Sequence, residues 1–87
     1  KDAQFNLGYI YYNGYGVNTN YKIAKDWFEK AAAQGHSMAQ NNIGVMYVKG
    51  QGVKQDKKVA KRWYGEACDS GEQMGCDNYK KLNQQGY

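Results

Sequence analysis

The chain has 87 residues, a formal net charge of +4 and no proline. This length has room for one small domain, whose high surface-to-volume ratio makes it only marginally stable unless a cross-link supports it. No apolar run approaches the roughly 20 residues that a membrane-spanning helix needs. The basic excess is mild, so the net charge does not by itself indicate a nucleic-acid-binding protein.

The strongest pattern is a repeat with a period of 36 residues. When residues 1–36 are aligned with residues 37–72, fourteen positions are identical. These pairs are Ala3/Ala39, Gln4/Gln40, Asn6/Asn42, Gly8/Gly44, Tyr11/Tyr47, Gly14/Gly50, Gly16/Gly52, Val17/Val53, Lys22/Lys58, Ala24/Ala60, Lys25/Lys61, Trp27/Trp63, Ala31/Ala67 and Gly35/Gly71. A fixed period of this size is typical of stacked-repeat solenoids, which mostly present surfaces rather than catalytic pockets.

The first predicted helix covers residues 2–13 and ends at the turn Gly14-Tyr15-Gly16. Apolar residues at helical spacing predict its core-facing side: Ala3, Leu7, Ile10 and Tyr11. Gly8 lies on that side, and its recurrence as Gly44 indicates that a neighbouring helix approaches closely there.

Four further helices follow in chain order. They are predicted at residues 21–34, 38–49, 57–69 and 73–84. Asn20 and Asp56 stand at equivalent positions and suit the N-caps of the second and fourth helices. We expect Trp27 and Trp63 to bury most of their rings between helix pairs, and the polar fifth helix to close the stack.

The repeat resembles the Sel-1-like repeat, a longer relative of the tetratricopeptide repeat. The resemblance rests on the core Leu-Gly-x-x-Tyr-x-x-Gly-x-Gly-Val, which begins at Leu7 and recurs with isoleucine first at Ile43. It implies an all-α solenoid of antiparallel helix pairs, with five helices in about two and a third repeats, that acts as an adaptor or scaffold. The single domain then divides into repeats 1–36 and 37–72 and a capping helix 73–87. Because the first helix lacks the preceding turn that Gly35 provides one repeat later, we expect the chain to be part of a longer protein.

The two cysteines flank the turn at Gly71. Cys68 ends one predicted helix and Cys76 begins the next, so an antiparallel pair would bring them side by side and a disulfide is geometrically reasonable. Two reduced, half-buried thiols are the alternative. The arrangement partly resembles that of the Helicobacter cysteine-rich proteins, a secreted branch of this repeat family, although Ala32 and Gln40 replace the cysteines one repeat earlier. A disulfide implies a periplasmic or secreted protein, and reduced cysteines a cytoplasmic one.

The sequence predicts no enzyme, no cofactor and no metal site. Gly14-Tyr15-Gly16 and Gly50-Gln51-Gly52 recur at the repeat period and lack the third glycine of a dinucleotide-binding loop. His36 is the only histidine and has no ligand at metal-binding spacing. A basic cluster at the start of the fourth helix lacks interleaved aromatic residues, which favours a solvated face over a nucleic-acid site. Its members are Lys54, Lys57, Lys58, Lys61 and Arg62.

A second face of the first helix in each pair predicts the partner-binding surface. Its residues differ between repeats while the core does not, as expected of side chains selected for a partner. The candidates are Phe5, Tyr9, Tyr12, Tyr15, Val45, Val48 and Lys49. The family resemblance places this face on the concave side of the solenoid, although Phe5 and Tyr9 could instead pack on a further N-terminal repeat.

Two classes of function fit this surface. The first is a non-catalytic, exported bacterial adaptor that binds a protein or peptide in its groove. The second is an immunity or inhibitor protein that neutralises a secreted enzyme, and a peptidoglycan-binding or hydrolytic factor is a weaker third class. We expect no nucleic-acid partner and no membrane span, and the open N-terminal face offers a route to oligomerisation.

Overall fold

The computed structural model describes residues 1–87 and consists of five helices without strands. The helices are α1 (Asp2–Asn13), α2 (Tyr21–Ala33), α3 (Ser37–Lys49), α4 (Lys57–Asp69) and α5 (Gln73–Gln84). Each helix packs against the next in the chain, and the molecule is elongated, measuring 38 × 24 × 16 Å. The all-α solenoid and its five helices are confirmed.

The predicted caps explain where the helices begin and end. The side chain of Asn20 accepts a hydrogen bond from the Ile23 amide at the start of α2, and Asp56 accepts two at the start of α4. These bonds satisfy amides that have no partner within the helix. Gly14 and Gly50 end α1 and α3 in the left-handed region, at φ 72° and 68°, where a side chain would be strained.

The core of each helix pair centres on an aromatic ring from the second helix, which packs against a glycine of the first helix. Phe28 is fully buried and Tyr64 is 4% exposed. A Cβ atom added at Gly8 would lie 2.6 Å from the Phe28 ring, and one at Gly44 would lie 2.6 Å from the Tyr64 ring. The two repeated glycines therefore provide the space in which the aromatic rings pack, at the positions where the sequence predicted the close approach of a neighbouring helix.

The first repeat is more open than the second. Ala3 is exposed and Leu7 is 37% exposed, whereas the equivalent Ala39 and Ile43 are fully buried. The difference arises because α2 covers this side of α3, while no described helix precedes α1. Our expectation that Ala3 and Leu7 belong to the core is therefore wrong for the chain as described.

The two tryptophans lie at the edge of the core. Trp27 is half-buried, with the Lys30 ammonium 4.4 Å from its ring centre. Trp63 is also half-buried and packs on the larger cluster of buried residues. The central ring of each pair belongs instead to the residue that follows the tryptophan.

Candidate protein-binding surface

Three of the predicted site residues form a continuous aromatic strip along α1 and the turn after it. The ring centre of Tyr9 lies 5.9 Å from that of Phe5 and 6.0 Å from that of Tyr15. Phe5 is half-buried and stacks on His36 at 4.5 Å. Tyr9 and Tyr15 are 44% and 60% exposed. We call Phe5, Tyr9 and Tyr15 the aromatic strip.

Tyr12 is more deeply embedded than this strip. Its ring centre lies 5.3 Å from Tyr21 and 6.2 Å from Phe28. Its hydroxyl donates a hydrogen bond of 2.6 Å to Oε1 of Gln51 in the turn after α3. Phe28 also packs 5.6 Å from Phe5, so this buried ring links Tyr12 to the strip. Tyr12 thus supports the fold as well as lining the predicted surface.

The predicted residues of α3 lie against the smaller core cluster. Val45 and Val48 are half-buried and pack on that cluster, whose members are Ala60, Tyr64 and Leu82. Lys49 is exposed at the end of α3. Val48 also lines an open cleft of about 230 Å³ between α3, α4 and α5. We call this cavity the α3–α5 cleft.

The basic cluster of α4 is divided among different surroundings. Lys57 lines the α3–α5 cleft. The Lys61 ammonium donates to Oδ1 of Asn83 at 2.9 Å and to the carbonyl oxygen of Tyr87 at 2.6 Å. Lys58 and Arg62 are exposed. A single solvated basic face is therefore too simple a description.

Tertiary packing also brings aromatic rings to the basic cluster, which the sequence reasoning missed. The Lys61 ammonium lies 5.1 Å from the ring centre of Tyr79 in α5. The Lys57 ammonium lies 5.4 Å from the ring centre of Tyr87. Both tyrosines lie at least 18 residues from these lysines in the chain. The sequence indicated this contact only indirectly, because the short turn between the two predicted helices implies that α4 and α5 lie side by side.

Two ionisable side chains have shifted pKa values. Burial raises the pKa of Tyr64 to about 12, because the phenolate would be poorly solvated there. Burial alone would lower the pKa of Lys25, but the hydrogen bond and negative charge of Glu29 outweigh it and raise that pKa above its usual value. Lys25 and Glu29 form an ion pair at 3.0 Å, so this site stabilises α2 rather than preparing a catalytic base.

A disulfide joins Cys68 and Cys76, whose Cα atoms are 4.5 Å apart. The equivalent residues between α2 and α3 are Ala32 and Gln40, where Nε2 of Gln40 donates to the Ala32 carbonyl oxygen at 3.2 Å. The junction between α4 and α5 is thus held by a covalent bond at the place where the junction between α2 and α3 has a hydrogen bond. The sequence reasoning identified the cysteine pair but not the hydrogen bond that it replaces.

His36 has a structural role. Its Nδ1 accepts a hydrogen bond from the Ala39 amide at the start of α3, and its Nε2 lies 3.3 Å from Oδ1 of Asp2. The ring therefore caps α3 while stacking on Phe5. The five helices are also too short or too polar for any of them to cross a lipid bilayer.

Comparison with known proteins gives a consistent result. The family model described as the Sel1 repeat matches residues 1–36 and 37–72. A Sel1 repeat protein from Oxalobacter formigenes superposes with a TM-score of 0.94 at 36% identity, over 98% of this chain and 35% of that protein. A protective antigen of uropathogenic Escherichia coli strains, which displays the SLR fold, superposes with a TM-score of 0.78 at 34% identity, over 99% of this chain and 23% of the antigen. No curated protein sequence matches the chain.

Proposed function

The chain belongs to the Sel1 repeat family, a family of repeat scaffolds that mediate protein–protein interactions, and from this premise we propose that it is a non-catalytic adaptor. In this proposal the adaptor binds a protein or peptide on the concave face to which the first helix of each pair contributes. The chain spans about a third or less of the length of the two solved relatives. The proposal therefore concerns the binding activity of this segment alone.

The observation that carries the proposal is the exposure of the aromatic strip. Tyr9 and Tyr15 keep 44% and 60% of their surface in solvent although neither position is aromatic in the second repeat, where Val45 and Gln51 stand. The fold therefore does not require a ring at these sites. Tyrosine offers a large, stiff contact area with a hydrogen-bonding tip, which suits it to protein recognition.

Two further observations support an exported bacterial protein. The disulfide between Cys68 and Cys76 fits an oxidising compartment such as the periplasm or the cell exterior. Both solved relatives come from bacteria, Oxalobacter formigenes and Escherichia coli. We therefore place the adaptor outside the cytoplasm in this proposal.

The test compares capture of a partner by the native chain and by a variant of the strip. We expect Tyr9→Ala with Tyr15→Ala to weaken binding by about thirtyfold, since a hot-spot tyrosine contributes roughly 2 kcal/mol or more. Both side chains are exposed, so the circular dichroism spectrum should not change. Affinity purification from periplasmic extract, followed by titration of the captured protein, measures the effect.

The matched control is Lys58→Glu with Arg62→Glu, which alters two exposed residues of α4. Lys57 is left unchanged in this control because it lines the α3–α5 cleft. The proposal expects this variant to keep its partner. A partner that is lost on reversal of Lys58 and Arg62, but kept without the Tyr9 and Tyr15 rings, would assign binding to the basic surface instead.

A further inference from the structure

The α3–α5 cleft is large enough to receive one aromatic side chain. Its lining includes Val48 from α3, Tyr64 from α4 and Leu82 from α5, so one end is apolar. Its volume is about 230 Å³, and a protein cavity of about 150 Å³ accommodates benzene. The ring of a tyrosine or phenylalanine therefore fits within the available space.

The first repeat shows what fills the equivalent space. Val48 corresponds to Tyr12 at the repeat period of 36 residues. The ring of Tyr12 packs on Tyr21 and Phe28, at 5.3 and 6.2 Å between ring centres. The residues equivalent to these two neighbours are Lys57 and Tyr64, which line the cleft beside Val48. The second repeat thus has the walls of an aromatic site without the ring that occupies it in the first.

The same comparison gives the charge of the occupant. Lys57 stands where the first repeat has Tyr21, and Lys81 stands 36 residues after Val45, at the equivalent position of the next helix. Both lysines line the cleft, and no carboxylate is among its lining residues. The Lys57 ammonium lies 5.4 Å from the ring centre of Tyr87, a contact that leaves its charge without an anionic partner. Neither lysine forms a salt bridge within the chain, whose ion pairs involve Lys25 and His36. An anionic group beside the bound ring would complement both charges.

We propose that the α3–α5 cleft binds an aromatic side chain of an acidic peptide segment. The ring enters the cleft beside Val48 and Leu82, against Tyr64, in the place that Tyr12 takes in the first repeat. Carboxylates that flank the ring in the peptide pair with Lys57 and Lys81. This inference rests on the proposed adaptor function and names the chemistry of the segment that the adaptor recognises.

A peptide titration followed by nuclear magnetic resonance tests the proposal on the whole chain. The probe is an acetylated and amidated pentapeptide with a central tyrosine and two aspartates on each side. We expect it to shift the methyl signals of Val48 and Leu82, which line the cleft. A peptide with alanine at the centre should lose this effect, and one with lysines in place of the aspartates should bind at least tenfold more weakly.

Variants of the chain link the signal to the cleft. Val48→Tyr introduces the residue of the first repeat, so we expect it to close the cleft and reduce peptide binding at least tenfold. Val59→Tyr is the matched control, because Val59 lines a different surface depression with Arg62 and Trp63. Lys57→Gln with Lys81→Gln keeps the cleft open and should weaken binding about threefold to tenfold, with the salt dependence reduced.

Defined results would overturn the inference. It fails if the alanine peptide shifts the same methyl signals equally, if Val48→Tyr binds as the native chain does, or if no signal moves at millimolar peptide. It also fails, while the adaptor function stands, if the captured partner depends on Tyr9 and Tyr15 but is retained by Val48→Tyr. If the captured partner is retained both by the Tyr9→Ala, Tyr15→Ala variant and by Val48→Tyr, the cleft inference fails and so does the placement of the adaptor's binding surface on the aromatic strip.

Discussion

Gly44 shows how a single hydrogen atom in place of a side chain determines the packing of a helix pair. A Cβ atom there would lie 2.6 Å from Cε1 of Tyr64, so either the buried ring or the two helices would have to shift. Gly65 is also helical, but an added Cβ would lie 3.3 Å from the ring of Tyr79, which is 40% exposed and can move. The two glycines therefore differ in what surrounds them rather than in their backbone.

We predict opposite effects for alanine at these two positions. Gly44→Ala should lower the free energy of unfolding by about 1–3 kcal/mol, because overpacking outweighs the gain in helix propensity. Gly65→Ala should raise it by up to about 1 kcal/mol, the propensity difference between the two residues. Urea denaturation measures both. Equal stability of Gly44→Ala and the native chain would show that the Tyr64 ring has room to move.

The raised pKa of Tyr64 should make the free energy of unfolding fall at alkaline pH. Its pKa is about 12 in the folded chain and near 10 when unfolded, so between these values the unfolded chain has lost a proton that the folded chain keeps. The free energy of unfolding is therefore unaffected below pH 10 and should fall as pH rises from about 10 to about 12. Tyr64→Phe should show a shallower fall in urea midpoints over this range. Parallel curves for the two proteins would contradict the assignment.

At the scale of elements, the junction between α4 and α5 is closer than the one between α2 and α3. Gly75 replaces Ala39 there, and a Cβ atom at Gly75 would lie 2.6 Å from that of Ala67. In the earlier junction Gln40 donates to the Ala32 carbonyl oxygen, but its own Oε1 is buried without a partner. The disulfide thus holds the terminal helix without leaving such an unpaired polar atom.

We expect reduction of the disulfide to destabilise the whole domain. Closing a loop this short contributes roughly 2–3 kcal/mol in the chain-entropy model, and in a domain of this size about 1 kcal/mol shifts the melting temperature by roughly 4–8 °C. A reductant should therefore lower the melting temperature by about 10 °C or more. Calorimetry with and without reductant measures the shift.

The control for this prediction uses the residues of the preceding junction. Cys68→Ala with Cys76→Gln should melt close to the reduced native chain and should not respond to reductant. Thiols that titrate in the native, unreduced protein would contradict the bond between Cys68 and Cys76.

At the scale of the whole molecule, the two repeats have the same apolar positions but different exposure. Leu7 and Ile43 are equivalent, yet Leu7 is 37% exposed and Ile43 is fully buried. The difference follows from the solenoid architecture, in which each helix pair covers the next. Association through the open face of α1, with a further repeat or a second copy, stays a prediction.

We predict that substitution by aspartate lowers the free energy of unfolding much more at Ile43 than at Leu7. Ile43→Asp should cost at least about 3 kcal/mol, because it buries a carboxylate without a partner, and the chain should no longer fold cooperatively. Leu7→Asp should cost about 1 kcal/mol or less, as at other partly exposed sites. Urea denaturation of both variants provides the measurement. Similar losses would mean that α1 is covered in solution.

The five helices and four of their terminal residues could be predicted from the chain alone, since they depend on neighbouring residues and on a period that repeats. Asn20, Asp56, Gly14 and Gly50 act through local hydrogen bonds and backbone angles, so their roles could be predicted without knowledge of the packing. The short turn between Cys68 and Cys76 made a disulfide a reasonable expectation, but the choice between a bond and two reduced thiols needed the structure.

The burial of the repeated positions and the place of the cleft depend on how the helices pack against one another. Leu7 resembles Ile43 in sequence, but its burial depends on whether another helix covers it. The cleft likewise combines Val48, Lys57 and Lys81 from three helices, and its volume depends on what surrounds Val48 rather than on that residue alone. Burial and cavity shape are properties of how helices meet, and no local pattern in the chain records them.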